Sequence, residues 1–179
     1  MKSTLIALAA SAIVATPAFA ALKAGDKAPD FTAPGFQAGK SLTFSLAEAR
    51  KKGPVVLYFF PAADTAGCNL EAKMFADAMP QFAANGATVI GVTAGKLDKL
   101  QQISADADKC SGKFPVAADP GAKIARQYDA VMAARPDWSD RTSYVISPKG
   151  DVLHTYSKLD PSEHVAQTLG AVKAFKTKR

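Results

Sequence analysis

The chain has 179 residues, 48% of them hydrophobic, and a net charge of +6 from 22 Lys and Arg against 16 Asp and Glu. That length suits one domain with a proper core. The basic residues are scattered, and the small clusters at Arg50-Lys51-Lys52 and from Lys173 to Arg179 read as solvated surface rather than as a nucleic-acid face.

Met1 to Ala20 reads as a secretory signal peptide. Lys2 supplies the positive start, Leu5 to Val14 is almost unbroken in its apolar character, and Ala18-Phe19-Ala20 has the small-x-small form of a cleavage site. The apolar run is too short to span a bilayer comfortably, and no later stretch is apolar enough, so no stable membrane insertion is expected. The signal carries no lipobox cysteine, so the expected product is a soluble exported domain, residues 21–179. In a bacterium with an outer membrane, that means the periplasm.

Ala21 to Lys40, with Pro29 and Pro34, predicts a lead-in with at most short strands. Ser41 to Leu46 reads as a strand. Pro54 to Phe60 is β-branched and aromatic without alternation, the pattern of a strand buried on both faces. A helix follows, with Leu70, Met74 and Ala78 four residues apart and Phe75, Met79 and Phe82 beside them. Pro80 is expected to kink or end it.

Ala87 to Thr93 predicts a second buried strand. Lys96 to Cys110 predicts a helix with Leu97, Leu100, Ile103, Ala107 and Cys110 on one stripe, and Phe114 to Ala118 a short strand. Asp119-Pro120 opens a helix, with Asp as N-cap and Pro in the first turn. Arg141 to Ser147 and Asp151 to Ser157 form a hairpin across Pro148-Lys149-Gly150. Asp160 to Phe175 closes the chain as a helix, with Asp160 and Glu163 spaced as a cap pair and Val165, Leu169 and Val172 facing inward. Early strand–helix alternation calls for a parallel segment, and the late hairpin adds an antiparallel part. The fold class is α/β, with a mixed central sheet and helices on both faces.

Cysteine usage carries the chemistry. Cys68 and Cys110 are the only cysteines, they form no C-x-x-C, and His154 and His164 are the only histidines. No metal-ligand spacing and no phosphate-binding glycine loop appears, so no cofactor is called for. Cys68 falls in the first turn of a helix directly after a buried strand. There the helix dipole and free N–H groups favour a thiolate. Thr65 is placed to cap that helix, and Pro61 ends the strand without offering a competing N–H. Arg141, at the head of a later strand, would favour the thiolate further if it reaches the strand–helix junction.

Pro61-x-x-x-Thr65-x-x-Cys68 resembles the active-site signature of the peroxiredoxins, the alkyl hydroperoxide reductase and thiol-specific antioxidant family. Glu71 resembles the family's acidic position, Arg141 to Ile146 its arginine-bearing strand, and Gly25-Asp26-x-x-Pro29-Asp30-Phe31 its lead-in. The likeness runs from about Leu22 to Phe175 and is strongest to the bacterioferritin-comigratory type. It implies a thioredoxin-like fold and reduction of hydrogen peroxide or organic hydroperoxides, with a thioredoxin-like, glutaredoxin-like or small thiol as reductant. It further implies that Cys68 is the peroxidatic cysteine, that Thr65 and nearby N–H groups hold the peroxide, that Arg141 stabilises charge, and that Glu71 orients the arginine. The chain departs from that type at the position five residues after Cys68, where a resolving cysteine often stands and Lys73 stands here. Cys110 is placed like the resolving cysteine of the atypical thiol-peroxidase type, and it also suits a packing role on its apolar stripe. The rival reading is a non-enzymatic redox-sensing or partner-binding module on the same fold. A disulfide reductase is disfavoured by the missing C-x-x-C.

Overall fold

The computed structural model describes residues 21–95 and 97–178. The expected signal peptide, residues 1–20, lies outside them. The elements in chain order are β1 (Thr32–Gln37), β2 (Lys40–Ser45), α1 (Leu46–Arg50), β3 (Val55–Phe59), α2 (Ala66–Ala84), β4 (Thr88–Thr93) and α3 (Leu97–Ala105). They continue with β5 (Val116–Ala118), α4 (Lys123–Gln127), β6 (Val131–Met132), β7 (Arg135–Ser139), β8 (Thr142–Ile146), β9 (Val152–Ser157) and α5 (His164–Thr177). Seven strands make one sheet in the order β2-β1-β5-β4-β3-β8-β9, and β6 pairs with β7 apart from it.

The β3–β4 and β4–β5 pairs are parallel, and the β3–β8, β8–β9, β1–β2 and β1–β5 pairs are antiparallel. This is the expected mixed sheet. β3 lies near its middle, and its side chains alternate between two cores. Val56 and Tyr58, with Phe60 just beyond, pack with Phe75, Phe82, Leu100, Ile103 and Leu169 from α2, α3 and α5. Val55, Leu57 and Phe59 pack on the opposite face with Leu46, Ala49, Ala125 and Tyr128, from α1, α4 and the residue after α4. An apolar run without alternation is what such double burial requires.

Several boundaries differ from expectation. The lead-in holds a full six-residue strand, β1, whose Gly35 lies so close to β5 that an added Cβ would stand 2.3 Å from the Val116 carbonyl. α2 runs through Pro80 to Ala84. Proline deprives the Ala76 carbonyl of its i+4 donor, and Lys113 Nζ donates to that carbonyl instead, at 3.0 Å. α3 ends at Ala105, so Cys110 stands in the turn beyond the helix, and Leu97 and Ala107 of the expected stripe are exposed. α4 starts at Lys123 rather than at Pro120, yet Asp119 still caps it: its carboxylate accepts from the N–H groups of Ile124 and Ala125 at 2.9 Å. α5 starts at His164. Asp160 accepts from Ser162 N–H in the preceding turn, and Glu163 makes no side-chain cap bond.

Candidate active site

The sheet order explains how distant residues meet. β8 runs antiparallel to β3 and pairs Thr142 with Phe59. The residue before Thr142 is Arg141, and the chain after Phe59 turns through Phe60-Pro61 into α2. Arg141 is thereby brought to the β3–α2 junction, the contact on which the sequence reading depended.

Cys68 stands in the first turn of α2 and is 5% exposed. Arg141 is equally buried, and its Nη2 lies 3.5 Å from Cys68 Sγ. Its Nη1 donates to Glu71 Oε2, and its Nε donates to the Leu159 carbonyl at 2.7 Å. The guanidinium is held on three sides, and negative charge on the sulfur faces a fixed cation in a water-poor setting. The inward line of α2 is Cys68, Glu71, Ala72, Phe75, Ala78 and Phe82, while Leu70 is 53% exposed. Leu70 leaves the expected stripe because Cys68 and Glu71 occupy the inward face of that turn.

Thr65 is the N-cap residue of α2 and has extended backbone, but its hydroxyl makes no cap bond; Oγ1 donates to the Ala62 carbonyl at 3.3 Å. This corrects the expected capping role. The hydroxyl points into the Pro61–Thr65 loop, and the first-turn N–H groups of α2 have no intrahelical acceptor. Pro61 is half-buried. It lines a cleft of about 310 Å³ with Ala62, Ala63, Ala94, Lys99 and Trp138. Trp138 lies on β7. It lines this cleft, and the Arg135 guanidinium stacks 3.7 Å from its ring centre.

Cys110 is fully buried in the same apolar cluster as Cys68, and both are free thiols. Burial pushes the Cys110 thiol up to about 12, with Asp106 adding to the effect and Lys109 opposing it. The neighbouring Lys109 spans the two cysteine segments: its Nζ lies 3.0 Å from Asp64 Oδ1 and 3.2 Å from Asp106 Oδ2. Asp64, three residues before the first-turn Gly67, has a left-handed backbone with φ of 64°.

The sequence reading missed what lies beneath Arg141. His164, at the start of α5, is fully buried, with Nδ1 2.8 Å from Ser143 Oγ and 3.6 Å from Glu71 Oε1. Tyr58 carries a buried hydroxyl with no hydrogen-bond partner among the described residues, near Cys110, Glu71, Cys68 and Arg141. His164 lies 93 positions from Glu71 in the chain and no spacing marks it; only its place at the N-terminus of the closing helix was legible.

Residues 24–155 match the model of the AhpC/TSA family. The chain is 32% identical to a chloroplastic peroxiredoxin Q of Populus jackii over 97% of its own length and 78% of the relative's. It is 27% identical to a bcp-type peroxiredoxin of Coxiella burnetii, over 83% of this chain and 97% of that one. Among solved structures, peroxidoxin BcpB of Mycobacterium tuberculosis superposes with a TM-score of 0.75 at 28% identity, covering 86% of this chain and 97% of the other.

Proposed function

The chain belongs to the AhpC/TSA family, and as a peroxiredoxin it is a thiol-dependent peroxidase; from that premise we propose that Cys68 is its peroxidatic residue and Cys110 its resolving one. The observation that carries the reading is the Arg141 Nη2–Cys68 Sγ contact of 3.5 Å in the first turn of α2. The Cys68 thiolate attacks one oxygen of the hydroperoxide. A sulfur–oxygen bond forms, the oxygen–oxygen bond breaks, and the departing oxygen takes a proton to leave as water or alcohol. Arg141 and the first-turn N–H groups stabilise the developing charge. Thr65 helps to hold the peroxide, Pro61 shields the sulfur, and Glu71 orients Arg141.

The Cys68 sulfenic acid is then attacked by the Cys110 sulfur. A disulfide forms, and the sulfenic oxygen leaves as water with the thiol proton. Both cysteines start buried in one apolar cluster, so each segment opens locally for this step. An external thiol reduces the disulfide. No helix among the described residues is long and apolar enough to cross a membrane. We place the mature domain outside the cytoplasm on the strength of residues 1–20.

One equivalent of hydrogen peroxide added to the reduced protein, followed by mass-spectrometric mapping, tests both assignments. A Cys68–Cys110 crosslink is expected. Sulfenic acid persisting on Cys68 alone would remove Cys110 from the cycle, and two unreacted thiols would remove Cys68. Retention of full peroxide turnover by Cys68→Ser would have the same consequence for Cys68.

A further inference from the structure

The arginine that faces Cys68 rests on a second, wholly buried layer. Glu71 accepts from Arg141 Nη1 at Oε2, while its Oε1 is buried and has no hydrogen-bond partner among the described residues. That orphan oxygen lies 3.6 Å from His164 Nδ1. His164 Nε2 lies 2.9 Å from the Lys158 carbonyl oxygen. A carbonyl only accepts, so Nε2 carries a hydrogen. Burial holds the imidazole below its usual range, with the Lys158 hydrogen bond opposing and Arg141 adding to the effect. The ring is therefore neutral, and Nδ1 presents a lone pair that takes the Ser143 hydroxyl hydrogen across 2.8 Å.

An ionised Glu71 would set a charged oxygen against that lone pair with no donor between them. Burial pushes Glu71 up to about 8, against the pull of Arg141. With Oε2 committed to Arg141, the carboxyl hydrogen belongs on Oε1, the side that faces His164.

We propose that His164 is a positioning residue of the peroxidase site: its Nδ1 lone pair, set against Glu71 Oε1, keeps that carboxyl protonated, and through Glu71 it keeps the Arg141 charge undivided on Cys68. The cluster of Cys68 thiolate, Arg141 cation, protonated Glu71 and neutral His164 is then neutral overall, which lowers the cost of burying it. Loss of the Glu71 proton makes that carboxyl an anion that competes with the thiolate for Arg141. The other titratable groups facing the pair are Tyr58 on β3, whose hydroxyl burial keeps neutral, and Asp140 and Asp160, whose charges act on His164.

The proposal rests on Cys68 being the peroxidatic residue, and the test separates the two. In the full-length wild-type protein, the carbon-13 carboxyl signal of Glu71 is followed against pH. It should stay protonated through pH 7 and ionise near 8. Ionisation in the ordinary carboxylate range would overturn the proposal, and this measurement needs no variant.

Alkylation of Cys68 by iodoacetamide is then measured at pH 7 in a Cys110→Ser background, which requires no peroxide chemistry. His164→Leu should slow it about tenfold, and His164→Asn, which restores an acceptor near the Nδ1 position, should recover most of the loss. Wild-type rates in both variants would overturn the proposal. Peroxide consumption by the wild type should fall severalfold above pH 8. Glu71→Gln, whose amide keeps the donor–acceptor pattern of the protonated carboxyl at every pH, should lack that alkaline fall. An unchanged alkaline fall in Glu71→Gln would assign it to another group and overturn the proposal. If instead Cys68→Ser keeps full turnover, the peroxidatic assignment fails while the Glu71 titration stands on its own.

Discussion

Arg141 shows how much one side chain can organise. Its guanidinium reaches Glu71 through Nη1, Cys68 through Nη2 and the Leu159 carbonyl through Nε. Lysine offers one compact cation and cannot occupy the three directions at once. Arg141→Lys is therefore expected to lower the rate of peroxide reduction about 10²-fold, close to the loss in Arg141→Ala, since a missing preformed donor costs that order. A rate within a few-fold of wild type would mean that charge alone suffices. Tyr58 presents the opposite case. Its hydroxyl is buried and unpaired among the described residues, and such a group costs about 1–3 kcal/mol. Tyr58→Phe keeps the ring stacked on Phe75, 4.4 Å away. It should leave stability equal or raise it by about 1 kcal/mol in chemical denaturation. A clear loss would reveal a partner for the hydroxyl.

At the scale of elements, the proposed Cys68–Cys110 crosslink requires the two cysteine-bearing segments to yield. Cys68 is in the first turn of α2, where a helix frays most easily, and Cys110 is in an irregular turn past α3 that includes left-handed Ser111 and Gly112. Lys109 ties the two together through Asp64. Removing the tie with Lys109→Ala should speed formation of the Cys68–Cys110 crosslink about twofold to fivefold, the scale of one exposed ion pair. Quenched-flow mapping after a peroxide pulse measures it, with the first oxidation of Cys68 expected to keep its rate. Slower crosslinking would mean that the tie guides the segments together.

The expected helix over Lys96–Cys110 was too long for the same reason that the Leu70 stripe was misplaced. Periodicity marks which residues are apolar, but it does not say where the backbone leaves the helix. Pro80 is expected on local grounds to kink or end the helix; the helix continues past it to Ala84, and the long-range donor Lys113 satisfies the carbonyl that the proline leaves without its usual partner.

For the whole molecule, the buried layer under the site links chemistry to stability. Glu71 is raised from 4.5 to about 8 by burial, with Arg141 opposing. An unfolded chain ionises this carboxyl above the ordinary carboxylate range, whereas the folded protein keeps the proton until about 8. The folded state therefore binds more protons in that interval. The contribution is fully present below the unfolded value and is lost as pH rises through the folded one. His164 is lowered and acts in the opposite sense below its unfolded value of 6.5. Between pH 6.5 and 8 the Glu71 contribution should fall by about 1.5 kcal/mol. Guanidinium unfolding of the wild type and of Glu71→Gln at the two pH values isolates it from the other titrating groups, and the wild type should lose about that much relative to the variant. No loss relative to Glu71→Gln over that interval would show the carboxyl already ionised.

By itself the sequence determined the α/β class, the doubly buried strand before Cys68, the first-turn position of that cysteine, and Arg141 at the head of a later strand. These are local properties, set by hydrophobic pattern, turn chemistry and short motifs whose parts lie within one element or its junction. The tertiary structure decided which of those parts meet. The antiparallel pairing of β8 with β3 carries Arg141 to Cys68. The docking of α5 beside β8 and β9 carries His164 to Glu71. The tertiary fold also turned the Thr65 hydroxyl away from the helix and placed Cys110 in a turn. Contacts between residues far apart in the chain have no period and no spacing to read; they exist only once the sheet has fixed which strands are neighbours.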